Sequence, residues 1–221
     1  HSIRRRQRQM CIRDRIGIVC GLVGGFFNKG LVWLTGRLAP VIKKKPLKTG
    51  FYLGAGLTVL ALMSWGTSTS DGEALVRQLI EHGMPNAMGS EQNFISGLTS
   101  IWITLVRVIG PMLALSPGVP GGLIDPSLTF GAVLGYTICA VAGISSQVGI
   151  GLGLAAGLSG ATQLPLVSIV FAWRLAGDQQ LFAGVVLASV LAAYTGRLVC
   201  RDPVYCLLYT SPEPTRLGFI S

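Results

Sequence analysis

The chain has 221 residues, of which half are hydrophobic and 12% are charged, and its mean hydropathy is +0.59. Soluble domains carry roughly a quarter of their residues as charges, so this composition excludes an ordinary soluble domain and predicts an integral membrane protein. The net charge of +9 is concentrated at the ends, because residues 1–15 and 206–221 together hold seven basic and two acidic residues. The remainder has 11 basic and 7 acidic residues, which is ordinary for a membrane protein.

Both ends differ in composition from the middle of the chain. Residues 9–15 (Gln-Met-Cys-Ile-Arg-Asp-Arg) and 206–215 (Cys-Leu-Leu-Tyr-Thr-Ser-Pro-Glu-Pro-Thr) resemble translated sequencing adapters, and such segments are set aside in fold reasoning. A basic tail for anionic lipid or a nucleic-acid-binding arm are alternatives for residues 1–15. We predict a membrane domain over 16–205, a non-native or basic tail over 1–15 and a non-native tail over 206–221. Because the chain does not begin with Met, we expect a fragment of a longer protein.

The first half of this domain contains long apolar runs separated by polar segments. We predict three spans, a basic loop between the first two, and a short polar helix at the membrane surface after the second. In chain order these are the span 16–38, the loop 43–48, the span 49–65, the surface helix 71–82 and the span 94–115. Arg107 lies inside the third span, where a charge is costly, so we expect it to turn inward or to lie near an end.

The second half alternates short apolar helices with breaks, of which the first is rich in Gly and Pro and the second ends at Pro165. The breaks are predicted at 116–122 and 162–165, and the helices at 126–142, 148–161, 165–176 and 179–199. Two of these helices, 148–161 and 165–176, are too short to cross a bilayer alone. Short broken helices are the best sequence indication of an ion or substrate site in a transporter. Gly131-x-x-x-Gly135 and Gly153-x-x-x-Gly157 are predicted to be helix-packing faces.

Residues 121–128 (Gly-Gly-Leu-Ile-Asp-Pro-Ser-Leu) predict a helix start inside the membrane. Asp125 is a favoured N-cap residue, and Pro126 suits the first helical position. The free N–H groups and the positive end of the helix dipole favour a bound anion there. The alternative is a capped helix start with no ligand.

Several segments, taken in order, resemble the CLC family of chloride channels and proton/chloride antiporters. Residues 121–135 are similar to the family's Gly-Gly-Ile-Phe-Ala-Pro element, and residues 116–120 to the segment before it. Residues 157–170 resemble the broken helix pair that follows. Phe27-Asn28-Lys29 matches a motif in the first helix of the family's second half, and residues 202–205 (Asp-Pro-Val-Tyr) resemble its Pro-x-Tyr element.

The resemblance implies the C-terminal half of a CLC-type fold, an all-α bundle of full and half-spanning helices that forms one of two inverted repeats. It implies chloride transport in a voltage-gated channel or an antiporter, with chloride and the lipid bilayer as partners and a homodimer as the assembly. The implied anion site holds the backbone N–H groups of Leu123 and Ile124 and the Tyr205 hydroxyl. Its remaining residues are Gly122, Asp125 and Pro126. Here Ile124 replaces the family's usual Phe, and Asp125 replaces a small neutral residue.

Other functions remain open at this stage. One alternative function is transport of another ion on a similar structural plan, since Asp125 favours a cation or a proton. The other alternative is an isolated half-pore with no activity. An intramembrane enzyme is not expected, because His1 and His82 are the only histidines and both lie outside the predicted spans. We expect no metal, no cofactor and no nucleic-acid partner.

Cys20, Cys139 and Cys200 are predicted to be small buried hydrophobes. We expect a multi-pass protein of the plasma membrane, or of the inner membrane if bacterial.

Overall fold

The computed structural model describes residues 2–64, 72, 76, 77, 79, 93–117, 122–176 and 182–201; for residues 2–10, 93–100 and 176 it describes only the helical backbone. Within these ranges the chain forms seven helices and no strand, which confirms the predicted all-α architecture. The helices are α1 (Ser2–Lys44), α2 (Pro46–Met63), α3 (Asn93–Leu115), α4 (Ile124–Val141), α5 (Ser146–Thr162), α6 (Pro165–Ala176) and α7 (Phe182–Val199).

Four stretches of the described residues are long and apolar enough to cross a membrane. They are Cys11–Lys44, Pro46–Met63, Ile124–Val141 and Phe182–Val199. Helix α6 has 12 residues, or about 18 Å at 1.5 Å per residue, and is too short for a bilayer core of about 30 Å. The bundle therefore mixes full and partial spans, as the breaks in the sequence predict.

Helix α5 lies at the centre of the bundle. Every residue from 149 to 162 is buried, because α5 packs against α1, α4, α6 and α7. Its contact with α4 is made backbone to backbone by glycines, and a methyl group on any of them would collide with the opposite helix: Gly131, Gly135, Gly149, Gly153 and Gly157. The two predicted glycine packing faces are therefore confirmed, and they meet each other.

The predicted basic loop over 43–48 is wrong. Helix α1 continues to Lys44 and α2 begins at Pro46, which leaves Lys45 alone between them. The Lys45 N–H still donates to the Val41 carbonyl at 3.0 Å. Pro46 has no N–H with which to continue the helix but fits the first position of a new one. A single residue therefore suffices where we predicted a six-residue loop.

The break between α5 and α6 depends on one residue in a left-handed conformation. Gln163 has φ 59° and ψ 24°, and its N–H donates to the Ser159 carbonyl at 2.8 Å. Its side-chain Nε2 donates to the Cys200 carbonyl at 2.7 Å. The predicted break at 162–165 is confirmed, and the Gln163 side chain also connects it to the end of α7.

The predicted surface helix over 71–82 lies largely outside the described residues. The four residues that are described, at positions 72, 76, 77 and 79, are helical. Leu79 is buried in the main apolar core, and Val76 packs against it. On α3, Arg107 is 5% exposed, which confirms its predicted inward orientation.

Candidate functional site

The first turn of α4 begins two residues earlier than predicted. Leu123 is the N-cap, and its carbonyl accepts a hydrogen bond from the Ser127 N–H at 3.3 Å. Ile124 and Asp125 are therefore already helical, and the prediction that Asp125 caps the helix is wrong. Pro126 occupies the third position rather than the first. It is tolerated there because the first N–H groups of a helix have no intrahelical partner.

Among the residues that the structure describes, no side chain caps this helix start. The amides of Ile124 and Asp125 precede the first i→i−4 bond, so they have no acceptor within the helix. The nearby hydroxyl groups bond to carbonyls instead. Ser127 Oγ donates to the Ile124 carbonyl at 2.6 Å, and Thr129 Oγ1 lies 3.0 Å from the Pro126 carbonyl. The first-turn N–H groups are thus left available to a ligand.

The Asp125 carboxylate lies beside Gly72, in the segment before α3. A methyl group on Gly72 would collide with Asp125 Oδ1 and with the Thr129 methyl group. Asp125 is nevertheless exposed, and it is the acidic residue of the first turn of α4. A carboxylate in this position adds negative potential next to the free amides without occupying them by a capping bond.

Behind the helix start lies a small apolar cluster. Leu123, 4% exposed, packs with Phe27, Leu31, Phe130 and Ala161. The Phe27 and Phe130 rings lie 6.1 Å apart at 45°. Because this base excludes water from one side of the turn, the field of the free amides is screened less there than in bulk solvent.

The Phe27-Asn28 pair in α1 has two separate contacts. Phe27 contributes to the apolar base. Asn28 is fully buried and donates from Nδ2 to the Ala161 carbonyl at 2.5 Å. The motif therefore joins α1 to the end of α5 directly behind the first turn of α4, a role that the sequence motif by itself does not indicate.

Four of the predicted site residues lie in one helix start, and one lies outside the described residues. Leu123, Ile124, Asp125 and Pro126 form the N-cap and first turn, and exposed Gly122 precedes them. Tyr205 lies outside the described residues. Sequence reasoning missed Gln163, which holds the carbonyl of Cys200 five residues before Tyr205. A polar residue within the predicted break at 162–165 was the only signal for it.

Among the described residues, no group of three or more His, Cys, Asp or Glu side chains has an arrangement that could hold a metal ion. The described groups at the first turn of α4 are backbone amides next to one carboxylate.

The chain is similar in amino-acid sequence to proteins of Salmonella. It is 25% identical over 204 residues to the "Voltage-gated ClC-type chloride channel ClcB" of Salmonella typhi, and the match covers 87% of this chain and 46% of that protein. The protein of the same name from Salmonella typhimurium strain LT2 has the same identity and coverage. The chain thus spans about half the length of the curated relatives it matches.

A solved structure shares the fold. It is described as "X-ray crystal structure of a slow cyanobacterial Cl-/H+ antiporter" and matches with a TM-score of 0.55 at 20% identity, over 87% of this chain and 47% of that one. The chain is therefore part of a multi-pass integral membrane protein.

Residues 14–197 match the family described as "Voltage gated chloride channel". Since this match takes in most of the sequence, the chain belongs to the voltage gated chloride channel family.

Proposed function

We propose that this chain forms half of a pathway that carries chloride across a membrane, in a channel or a proton/chloride antiporter and not in an enzyme. The observation that supports this most directly is the uncapped first turn of α4, whose amides lack intrahelical acceptors above an apolar base. The names of the relatives and of the solved structure point to the same ion. The Salmonella relatives favour a bacterial inner membrane.

In the proposed site, the backbone N–H groups of Leu123 and Ile124 replace part of the hydration shell of the anion. The hydroxyl of Tyr205 is a further donor. Gly122 has no side chain, and a Cβ there would meet no described atom within 4 Å, which leaves the backbone open to an anion on that side. Pro126 offers no N–H and bounds the site on the helix side. Neutral donors without a fixed cation allow chloride to leave again quickly.

We propose that the whole protein is a homodimer in which each subunit has its own pore, built from this half and an inverted first half. Channel and antiporter differ in whether chloride flux is coupled to protons. The relevant assay therefore uses the full-length protein in liposomes, with a chloride electrode and a pH probe. Efflux of chloride accompanied by proton uptake identifies an antiporter, and efflux without it identifies a channel.

The proposed role of the backbone at Ile124 can be tested separately from its side chain. Replacing Ile124 by its α-hydroxy acid exchanges the N–H for an ester oxygen, and a hydrogen bond to a charged group contributes about 1.5–3 kcal/mol. We expect chloride affinity to fall about tenfold or more, whereas Ile124→Ala leaves it unchanged. The same ester at exposed Ile109 of α3 is the control. Equal affinity for the Ile124 ester and the wild type would count against the site.

Tyr205 has a matched control in Tyr194, an exposed tyrosine on α7. We expect Tyr205→Phe to weaken chloride binding several-fold, and Tyr194→Phe to leave it unchanged. A wild-type protein that carries no chloride in liposomes would contradict the proposal as a whole.

The second candidate is transport of a cation or of protons on the same broken-helix plan. It is favoured by one observation, the exposed carboxylate of Asp125 in the first turn of α4. Flux of sodium, potassium or protons in liposomes loaded with gluconate in place of chloride would support this candidate over the first.

A further inference from the structure

The corner between α1 and α2 carries four lysines. Lys43 and Lys44 end α1, Lys45 separates the two helices, and Lys48 lies in the first turn of α2. All four are exposed. Residues 15–70 contain seven Lys or Arg and no Asp or Glu. Over the described part of the chain, none of the four lysines forms an ion pair. We call these four residues the lysine corner.

Exposed aromatic side chains lie on both of the helices that meet at the lysine corner. On α1, Trp33 is 61% exposed and the Arg37 guanidinium lies 5.4 Å from the centre of its ring. On α2, Phe51 and Tyr52 are about three-quarters exposed, with ring centres 6.3 Å apart. Exposed aromatics next to a cationic helix end are typical of the level where lipid tails meet headgroups.

The spacing along α1 agrees with this assignment. Lys43 follows Trp33 by ten residues and Arg37 by six, or about 15 Å and 9 Å along the helix axis at 1.5 Å per residue. If Arg37 lies at the boundary of the hydrocarbon, the backbone of the lysines at the end of α1 lies at the outer edge of a headgroup region about 5–8 Å thick, and their flexible side chains can reach back to the lipid phosphates. The cations and aromatics are therefore ordered along α1 as a bilayer requires.

The exposed face of the first turns of α2 also carries a shallow, open groove, lined by Leu47, Lys48, Phe51 and Tyr52 of this one helix. Three of its lining side chains are apolar or aromatic, and the fourth is a cation. Helix α2 is otherwise little covered by the bundle, and Thr49 is its one buried residue. The groove matches the chemistry of a lipid, with room for the upper acyl chain and a cation for the phosphate.

Lysines at a helix C-terminus also interact favourably with the helix dipole, and that explanation would suffice for Lys43 and Lys44. It does not extend to Lys45 and Lys48, which lie before and within the first turn of the next helix, where the dipole disfavours cations. An anion bound at the lysine corner would reduce the repulsion among the four lysines.

We propose that the lysine corner binds the headgroup of an anionic phospholipid, such as phosphatidylglycerol, in the adjacent leaflet. The phosphate lies among Lys43, Lys44 and Lys48, and the glycerol and upper acyl chain lie in the groove beside Phe51 and Tyr52. The proposal does not depend on the proposed anion transport, because it concerns a surface on α1 and α2 rather than the first turn of α4.

The test is lipid retention by the full-length protein, measured by native mass spectrometry in equimolar phosphatidylglycerol and phosphatidylcholine. The variant Lys43→Gln, Lys44→Gln, Lys48→Gln removes three charges. A control variant removes the same charge from exposed positions at other helix ends, through Arg174→Gln, Arg197→Gln and Arg201→Gln. A third variant with Arg at all three lysine positions keeps the charge. Each lysine near an anionic surface contributes about 1 kcal/mol, or about fivefold in affinity.

We expect the glutamine variant to lose ten- to hundredfold of its preference for phosphatidylglycerol, while the control and the arginine variant keep it. Raising the potassium gluconate concentration should reduce the preference of the wild type, because salt screens exposed charges; this arm needs no variant to fold. Equal loss in the control variant would overturn the assignment to this corner. Competition by free glycerol 1-phosphate as effective as that by the lipid would overturn the assignment to a membrane surface.

Discussion

Removing the charge of Asp125 should strengthen anion binding at the first turn of α4. The carboxylate is exposed and lies in the same turn as the free amides, but it forms no capping bond with them. It therefore contributes repulsion to a bound anion and blocks no donor. We expect both Asp125→Ala and the nearly isosteric Asp125→Asn to raise the affinity of the full-length protein for chloride.

The size of the effect follows from Coulomb's law. Two unit charges about 6 Å apart interact by about 0.7 kcal/mol at a dielectric of 80 and about 2.8 kcal/mol at 20. The Asp125 side chain is exposed on one side and faces Gly72 on the other, so an intermediate value of about 1.4 kcal/mol, or about tenfold in affinity, is appropriate. The variants also lose about 0.3–1 kcal/mol of helix-dipole stabilisation, which should lower thermal stability slightly.

The assay is isothermal titration of chloride into the purified protein in gluconate buffer. Asp125→Glu, which restores the charge, should bind like the wild type. The difference between Asp125→Asn and the wild type should shrink as gluconate concentration rises, because the repulsion is screened. Unchanged or weaker chloride binding in both Asp125→Asn and Asp125→Ala would refute the reasoning.

Three further predictions concern the bundle. Gly153→Ala would place a methyl group against the Gly131 carbonyl, so it should destabilise the protein by about 1–3 kcal/mol in thermal melts; Gly54→Ala, which meets nothing within 4 Å, should not. Asn28→Ala removes a buried hydrogen bond to α5 and should cost about 1–3 kcal/mol, measured in the same way. Cys20 is fully buried whereas Cys11 is exposed, so a maleimide should label Cys11 in the native protein and Cys20 only after denaturation; labelling of Cys20 in the native protein, located by peptide mass spectrometry, would contradict this packing.

Most of the architecture could be predicted from local patterns. Apolar run lengths predicted the helices. The Gly- and Pro-rich stretch at 116–122 and the Pro165 that ends 162–165 predicted breaks, because Pro cannot continue a helix. The glycine spacing 131/135 and 153/157 predicted packing faces, and the structure shows that they pack on each other. These features depend on near neighbours in the sequence, which is why pattern reasoning found them.

The errors came where the boundary of a helix depended on more than residue preference. Asp125-Pro126 has the composition of a cap and first position, yet the helix starts at Leu123, because the Leu123 carbonyl accepts a bond from Ser127 while Leu123 itself is buried against Phe27 and Phe130. The basic run at 43–48 has the composition of a loop, yet α1 keeps its helical hydrogen bonds up to Lys45.

The sequence by itself determined that this is a membrane protein and that its second half is built from broken helices, and it indicated which helix start to propose as an anion site. These conclusions follow from composition, element length and the chemistry of Gly, Pro and Asp. Only the tertiary structure decided that α5 is the buried centre and that Asn28 and Gln163 join its end to α1 and α7. It also decided that Asp125 faces Gly72 instead of capping α4. Each of these depends on contacts between residues far apart in the chain, which the order of residues within any one segment does not encode.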